Sequence, residues 1–135
     1  LDAIGRTIHK IGNAQMNTAD DYRAEKVMFV IITDGEENSS REYSAEKVKA
    51  QIQRQKEKYD WEFIFLGANI DAVETAGRFG IAPDRAQNYH ADSEGTALNF
   101  RVMSDAVATF RECKEMPTGW NEEIEKDYKR RGGRK

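Results

Sequence analysis

The stretch Val27-Met-Phe-Val-Ile-Ile-Thr-Asp-Gly35 decides how this 135-residue sequence folds. Its first six residues are all apolar, four of them are β-branched, and the run ends at Thr-Asp-Gly. A short apolar run that is rich in β-branched residues and ends in a turn pair favours a strand over a helix. Because the run shows no polar alternation, we expect both faces of the strand to be covered, as they are inside a parallel sheet.

The segments around this strand alternate between helical and strand patterns. We predict helices over 1–12, 44–58, 71–80 and 92–115, strands over 27–33, 61–66 and 87–90, and one or two helical turns over 120–128. Ser44 and Asp71 are expected to cap the second and third helices, and Gly80 to end the third. Strands that alternate with helices need crossover connections. The sequence therefore predicts a three-layer αβα, Rossmann-like fold around a parallel sheet.

Composition and charge exclude several classes of protein. A chain with 39% hydrophobic and 10% aromatic residues is too apolar to be a disordered acidic tail. No apolar run approaches the ~18 residues of a membrane span, so we expect no membrane segment. A single cysteine excludes an intramolecular disulfide framework. The net charge is −3, and five of the positive charges lie in residues 129–135, so the remaining body is acidic and unsuited to nucleic acid.

Polar residues follow the first strand at its carboxyl end, where open parallel sheets bind ligands. Asp34 comes directly after the buried strand, and Glu36, Asn38 and Ser39 follow within the next loop. A carboxylate in this place suits Mg²⁺ or Mn²⁺, which prefer oxygen ligands. The alternative is that Asp34-Gly35 is an ordinary turn and the following acidic residues are solvated.

The stretch of residues 27–38 resembles the fourth strand of a von Willebrand factor type A (vWA) domain, in which a hydrophobic strand runs into Thr-Asp-Gly. The opening Leu1-Asp-Ala-Ile4, the aromatic strand that ends at Gly67 and the helix that runs to Phe79-Gly-Ile81 agree with that family. The resemblance implies that residues 1–115 are the C-terminal portion of a vWA-like domain. We expect residues 116–135 to be an extension with a basic, disordered tail, because a terminal run of charge is usually solvated. Its compact loops are similar to those of bacterial or phage intracellular members, which implies a cytoplasmic protein.

The resemblance also implies a metal-ion-dependent adhesion site. In that family the ligands of Mg²⁺ or Mn²⁺ come from an Asp-x-Ser-x-Ser motif, a threonine loop and the aspartate of Thr-Asp-Gly, and only the last matches here, as Asp34. Asp-x-Ser-x-Ser does not occur; the nearest lookalike, Asp92-Ser-Glu-Gly-Thr96, follows the third strand. We therefore expect an incomplete site that holds no metal tightly, since affinity follows the number and charge of the ligands.

Two classes of function follow from these observations. The first is a protein-interaction module, in which a partner's carboxylate binds the metal at Asp34 while Glu36, Asn38 and Ser39 shape the rim. No catalytic residue is assigned in this class. The alternative is a Mg²⁺-dependent phosphoryl-transfer enzyme that uses Asp34, with Asn69, Asp71 or Asp92 as a second group at a neighbouring strand end.

The beginning of the chain carries one more expectation. Residue 1 already lies in a helical pattern that no N-cap residue precedes, so we interpret the sequence as a fragment whose N-terminal strands are missing. In the vWA strand order the strand of residues 27–33 would lie beside the missing first strand. We therefore expect an apolar edge there that invites self-association.

Overall fold

The computed structural model of this protein describes residues 2–16, 27–34, 44–113 and 115–131. Their helices are α1 (Asp2–Met16), α2 (Ala45–Tyr59), α3 (Ala72–Arg78), α4 (Ser93–Cys113) and α5 (Glu122–Arg130), and their strands are β1 (Met28–Asp34), β2 (Glu62–Ala68) and β3 (Ala86–Asn88). A 3-10 turn at Pro83–Arg85 precedes β3. The alternation of helices and strands confirms the element order predicted from the sequence.

The three strands of the described residues form one parallel sheet in the order β1-β2-β3. β1 pairs with β2 along its whole length, from Met28 opposite Glu62 to Asp34 opposite Ala68. β3 is shorter than predicted and pairs through three residues only, ending with Asn88 opposite Gly67. The predicted α/β fold with a parallel sheet is confirmed, and β1 lies at one edge of the described sheet.

Helices cover both faces of the sheet, so the core has two parts. Phe63 and Phe65 of β2 point into the cluster with α1, α2 and α3, whereas Ile64 and Leu66 point into the cluster with α4 and α5. This division follows from the period of two in a strand, which sends successive side chains to opposite faces. The three-layer αβα arrangement is therefore built on β2, whose side chains are apolar on both faces.

β1 is less well covered than the sequence predicted. Ile31 is buried, but Ile32 is 50% exposed and the three residues before Ile31 are half-buried. The physical reason is the position of β1 at the edge of the described sheet: β2 pairs with one side of it only. A continuous apolar run thus forms an edge strand here, although its composition is that of a central strand.

Local capping follows the sequence closely. The Ser44 hydroxyl accepts a hydrogen bond from the backbone N–H of Lys47 at 3.1 Å, and the Asp71 carboxylate accepts one from the N–H of Glu74 at 3.1 Å. Gly80 adopts the left-handed conformation just after α3, with φ at 78°. These caps are short-range interactions, which explains why the sequence predicted them.

The segment after α4 folds back onto the sheet. Met116, Trp120 and Ile124 are buried in the cluster formed with α4, and the Trp120 indole N–H donates to the carbonyl of Asp84 at 2.9 Å. The helical turns predicted around residues 120–128 are confirmed as α5.

The basic tail predicted to be disordered lies partly outside the described residues, from 132 to 135. Within the described ranges, no helix combines the length and the apolar composition that crossing a bilayer would require.

Candidate functional site

Asp34 is the last residue of β1, and its side chain is exposed at the carboxyl end of the sheet. The parallel register places it opposite Ala68, the last residue of β2. Because parallel strands bring their carboxyl ends to the same edge, the residues just after β2 and β3 approach Asp34. The structure thus places Asp34 at the carboxyl end of a parallel strand, as the sequence predicted.

Asn69 follows β2 directly and contacts Asp34. Its side-chain amide donates a hydrogen bond to the Asp34 carboxylate, with 2.5 Å between Nδ2 and Oδ1. The backbone of Asn69 is left-handed, with φ at 59°, a region that asparagine tolerates better than most other residues. Sequence reasoning considered Asn69 only for the phosphoryl-transfer alternative, because nothing local to it indicates a contact 35 residues away.

The end of β3 completes this edge with Asn88 and Tyr89. The Asn88 side-chain oxygen accepts a hydrogen bond from the N–H of Ala72 at 3.0 Å, which joins the start of α3 to the end of β3. The backbone N–H of Tyr89 donates to the carbonyl of Gly67 at 3.1 Å. Burial raises the pKa of the Tyr89 phenol, and the nearby charge of Asp34 raises it further, so this phenol stays neutral beside the carboxylate. Sequence reasoning missed both residues; their position at the end of a strand was the available signal.

The side chains at this edge offer the type of donor atom that a hard cation prefers, but few of them are present. The Asp34 carboxylate is an oxygen donor of the type that Mg²⁺ and Mn²⁺ prefer. In the part of the chain that the structure describes, no three His, Cys, Asp or Glu side chains come together as a metal-binding group. Glu36, Asn38 and Ser39, predicted to form the rim, lie outside the described residues.

The two other aspartates considered from the sequence are engaged elsewhere. Asp71 caps α3, as described above. Asp92 receives both terminal nitrogens of Arg131, at 2.5 and 3.1 Å, and accepts the backbone N–H of Gly95 at 2.7 Å. The hydrogen bonds from Arg131 and Gly95 lower the pKa of Asp92. Asp92-Ser-Glu-Gly-Thr96 is therefore the beginning of α4, held by an arginine.

The described contacts of the two histidines are with residues other than Asp34 and Asn69. His90 packs its ring 4.9 Å from that of Tyr128 and contacts the Tyr128 carbonyl through Nε2 at 3.1 Å. His9 contacts the side chain of Asn13, its neighbour one turn along α1. Cys113 is a free cysteine that is exposed at the end of α4.

Comparison with known proteins does not assign this chain to a family. No protein-family profile, no curated protein and no solved structure matches this chain.

Proposed function

We propose that this chain is the C-terminal portion of a vWA-like domain and acts as a protein-interaction module, with Asp34 as one ligand of a divalent metal. The single observation that carries the proposal is the state of Asp34. It stands exposed at the carboxyl end of β1, and its described hydrogen-bond partner is the neutral amide of Asn69. A carboxylate held by a neutral donor keeps its negative charge available for a cation.

The residues of this edge have distinct roles in the proposal. Asp34 would hold Mg²⁺ or Mn²⁺, which supplies an open coordination position for a carboxylate of the partner protein. Asn69 orients Asp34 before the cation arrives, and the phenol of Tyr89 stays neutral near the carboxylate. Glu36, Asn38 and Ser39 would shape the rim and select the partner. The resemblance to intracellular vWA proteins supports the cytoplasm as the compartment.

The alternative, a phosphoryl-transfer enzyme, has less support. Such an enzyme would use Asp34 with a second acidic group at a neighbouring strand end. Asp71 is occupied as a helix cap and Asp92 by Arg131, which leaves the amide of Asn69 beside Asp34. This arrangement favours metal-dependent binding over phosphoryl transfer.

The test measures Mn²⁺ binding to the full chain by calorimetry, followed by binding of a fluorescent glutamate-containing peptide with Mn²⁺ or with EDTA. We expect Mn²⁺ to bind weakly, in the millimolar range typical of sites with few ligands. Asp34→Asn keeps the size of the side chain and removes its charge, so it should abolish both Mn²⁺ and peptide binding. Asp105→Asn, an equal change of charge on the exposed side of α4, is the matched control and should bind as the unmodified chain does.

Two results would contradict this proposal. One is Mn²⁺ binding that Asp34→Asn leaves unchanged, since the metal would then lie elsewhere. The other is peptide binding that persists in EDTA, because the contact would then need no metal.

We also propose that the chain associates with a second copy through β1. The observation that favours this is the 50% exposure of Ile32 on an edge strand whose residues from Met28 to Thr33 carry no charge. Such an edge offers a template for pairing with another strand. Sedimentation at about 100 µM, a concentration at which exposed edges usually associate, should show dimers or larger species. Ile32→Lys should shift them to monomer, and a monomeric unmodified chain would refute the contact.

A further inference from the structure

We propose that Asn69 is a second oxygen ligand of the Asp34 site and that its side-chain amide turns over when a divalent cation binds. Without the cation, the NH₂ group of Asn69 faces Asp34. With the cation bound, the carbonyl oxygen of Asn69 faces the cation. This inference rests on the proposed function, because it assumes that Asp34 ligates the cation. It adds a ligand and a cation-dependent change that the resemblance does not supply.

The backbone at Asn69 is the first observation. Among the described residues, Asp60 and Asn69 are the non-glycine residues with positive φ. Asp60 has a structural reason for this conformation, since it ends α2 and donates its N–H to the carbonyl of Gln55. Asn69 ends no helix; its left-handed backbone turns the chain between β2 and α3 and brings the amide onto Asp34. Unfavourable backbone conformations of this kind concentrate at functional sites.

The chemistry of the carboxamide is the second observation. An asparagine side chain carries a donor and an acceptor on the same carbon, so a half-turn about its last torsion exchanges NH₂ for oxygen in one place. That torsion joins an sp³ to an sp² carbon and is soft. A cation on Asp34 would repel the NH₂ group, and the half-turn replaces this repulsion with a bond from a neutral oxygen. Amide carbonyls are established ligands of hard cations.

Access and distance fit this exchange. Both Asp34 and Asn69 are exposed, so a hydrated cation reaches them without any movement of the core. Their polar atoms are already 2.5 Å apart, and a slight outward shift would seat both oxygens as neighbouring ligands of one ion.

The experiment follows the full ¹⁵N-labelled chain by NMR during a Mg²⁺ titration and measures Mn²⁺ affinity for a set of variants. The side-chain NH₂ signals of Asn69 should move in proportion to occupancy as the amide leaves Asp34. Asn69→Gly removes the amide but suits the left-handed backbone, so it should weaken Mn²⁺ binding about tenfold, or about 1.4 kcal/mol. Asn69→Asp keeps an oxygen in place and adds charge, so it should bind Mn²⁺ at least as tightly as the unmodified chain.

The control is Asn13→Ala, which removes an exposed asparagine from α1 and should leave the affinity unchanged. If Asn69→Gly binds Mn²⁺ normally while Asp34→Asn does not, the role of Asn69 is refuted and the proposed function stands. If Asp34→Asn also binds normally, or the unmodified chain binds no Mn²⁺, both proposals fail together. NH₂ signals that stay fixed while Mg²⁺ saturates the site would refute the turnover of the amide.

Discussion

Asp34 and Asp127 are carboxylates in two different environments. Asp34 is exposed and bonded to a neutral amide, whereas Asp127 is 7% exposed and bonded to Arg130 and Arg131. The charge of Asp127 is already balanced inside the protein, so it can hold elements together but has little left for a ligand. The comparison indicates that the partner of a carboxylate decides whether its charge is already balanced inside the protein.

The structural acids belong to one cluster, which we name the arginine clamp: Asp92, Asp127, Arg130 and Arg131. Arg131 donates to both aspartates, and these two hydrogen-bonded partners raise the pKa of its guanidinium. Arg130 donates to Asp127 at 2.9 Å and also pairs with Glu94 of α4. The clamp therefore fastens the end of α5 to the beginning of α4.

The largest expected effect lies beside the clamp, at Gly95. A Cβ atom added there would lie 1.9 Å from the carbonyl oxygen of His90, a clash with backbone that no rotamer change relieves. Gly95→Ala should lower the free energy of unfolding by about 3 kcal/mol, measured by urea denaturation. Gly77→Ala in α3 meets nothing within 4 Å and should be neutral or stabilising. Equal stabilities for the two variants would show that the start of α4 tolerates movement.

The next effect tests the clamp itself. Asp127→Ala removes a buried acceptor of two guanidinium groups and should cost about 2 kcal/mol of unfolding free energy. Asp105→Ala, an exposed aspartate of α4, should change stability by no more than about 0.5 kcal/mol. If Asp127→Ala lowers the free energy of unfolding no more than its control does, the clamp does not stabilise the fold, and Asp127 is not a structural acid.

The clamp should also make the free energy of unfolding depend on pH. Hydrogen bonds from Arg131 are the main cause that lowers the pKa of both Asp92 and Asp127 in the folded chain. The unfolded chain therefore binds more protons, so the contribution is fully present above about pH 4 and is lost as the pH falls through the lowered folded values. Unfolding free energies measured from about pH 7 to pH 2 should fall less steeply for Arg131→Gln below about pH 4. Arg111→Gln, an exposed arginine of α4, should keep the steeper dependence.

The smallest expected effect is at Asp34. Asp34→Asn should change the free energy of unfolding by no more than about 0.5 kcal/mol, because the residue is exposed and its partner is a neutral amide. The same variant should lose Mn²⁺ binding, so stability and binding would separate at this position. A stability loss as large as that of Asp127→Ala would place Asp34 among the structural acids.

Short-range features of the sequence account for the predictions that the structure confirms. The side chains of Ser44 and Asp71 accept hydrogen bonds from N–H groups three residues away, and Gly80 takes its left-handed conformation two residues after the end of α3. The apolar run from Val27 predicted a strand, and the alternation of elements predicted the parallel sheet. Such signals need only the residues near each position, because caps, turns and periodicity are local properties of the chain.

The tertiary structure alone decided which side chains meet. Asn69 reaches Asp34 across 35 residues, and Arg131 reaches Asp92 across 39, and neither pair has a local signal. Both contacts depend on strand register and on helix packing. A shift of a single residue in either would move each side chain away from its partner. The sequence by itself thus determined the α/β fold and the position of Asp34 at a strand end. The packing decided that Asp34 is hydrogen-bonded to the amide of Asn69, while Asp92 and Asp127 are hydrogen-bonded to Arg131.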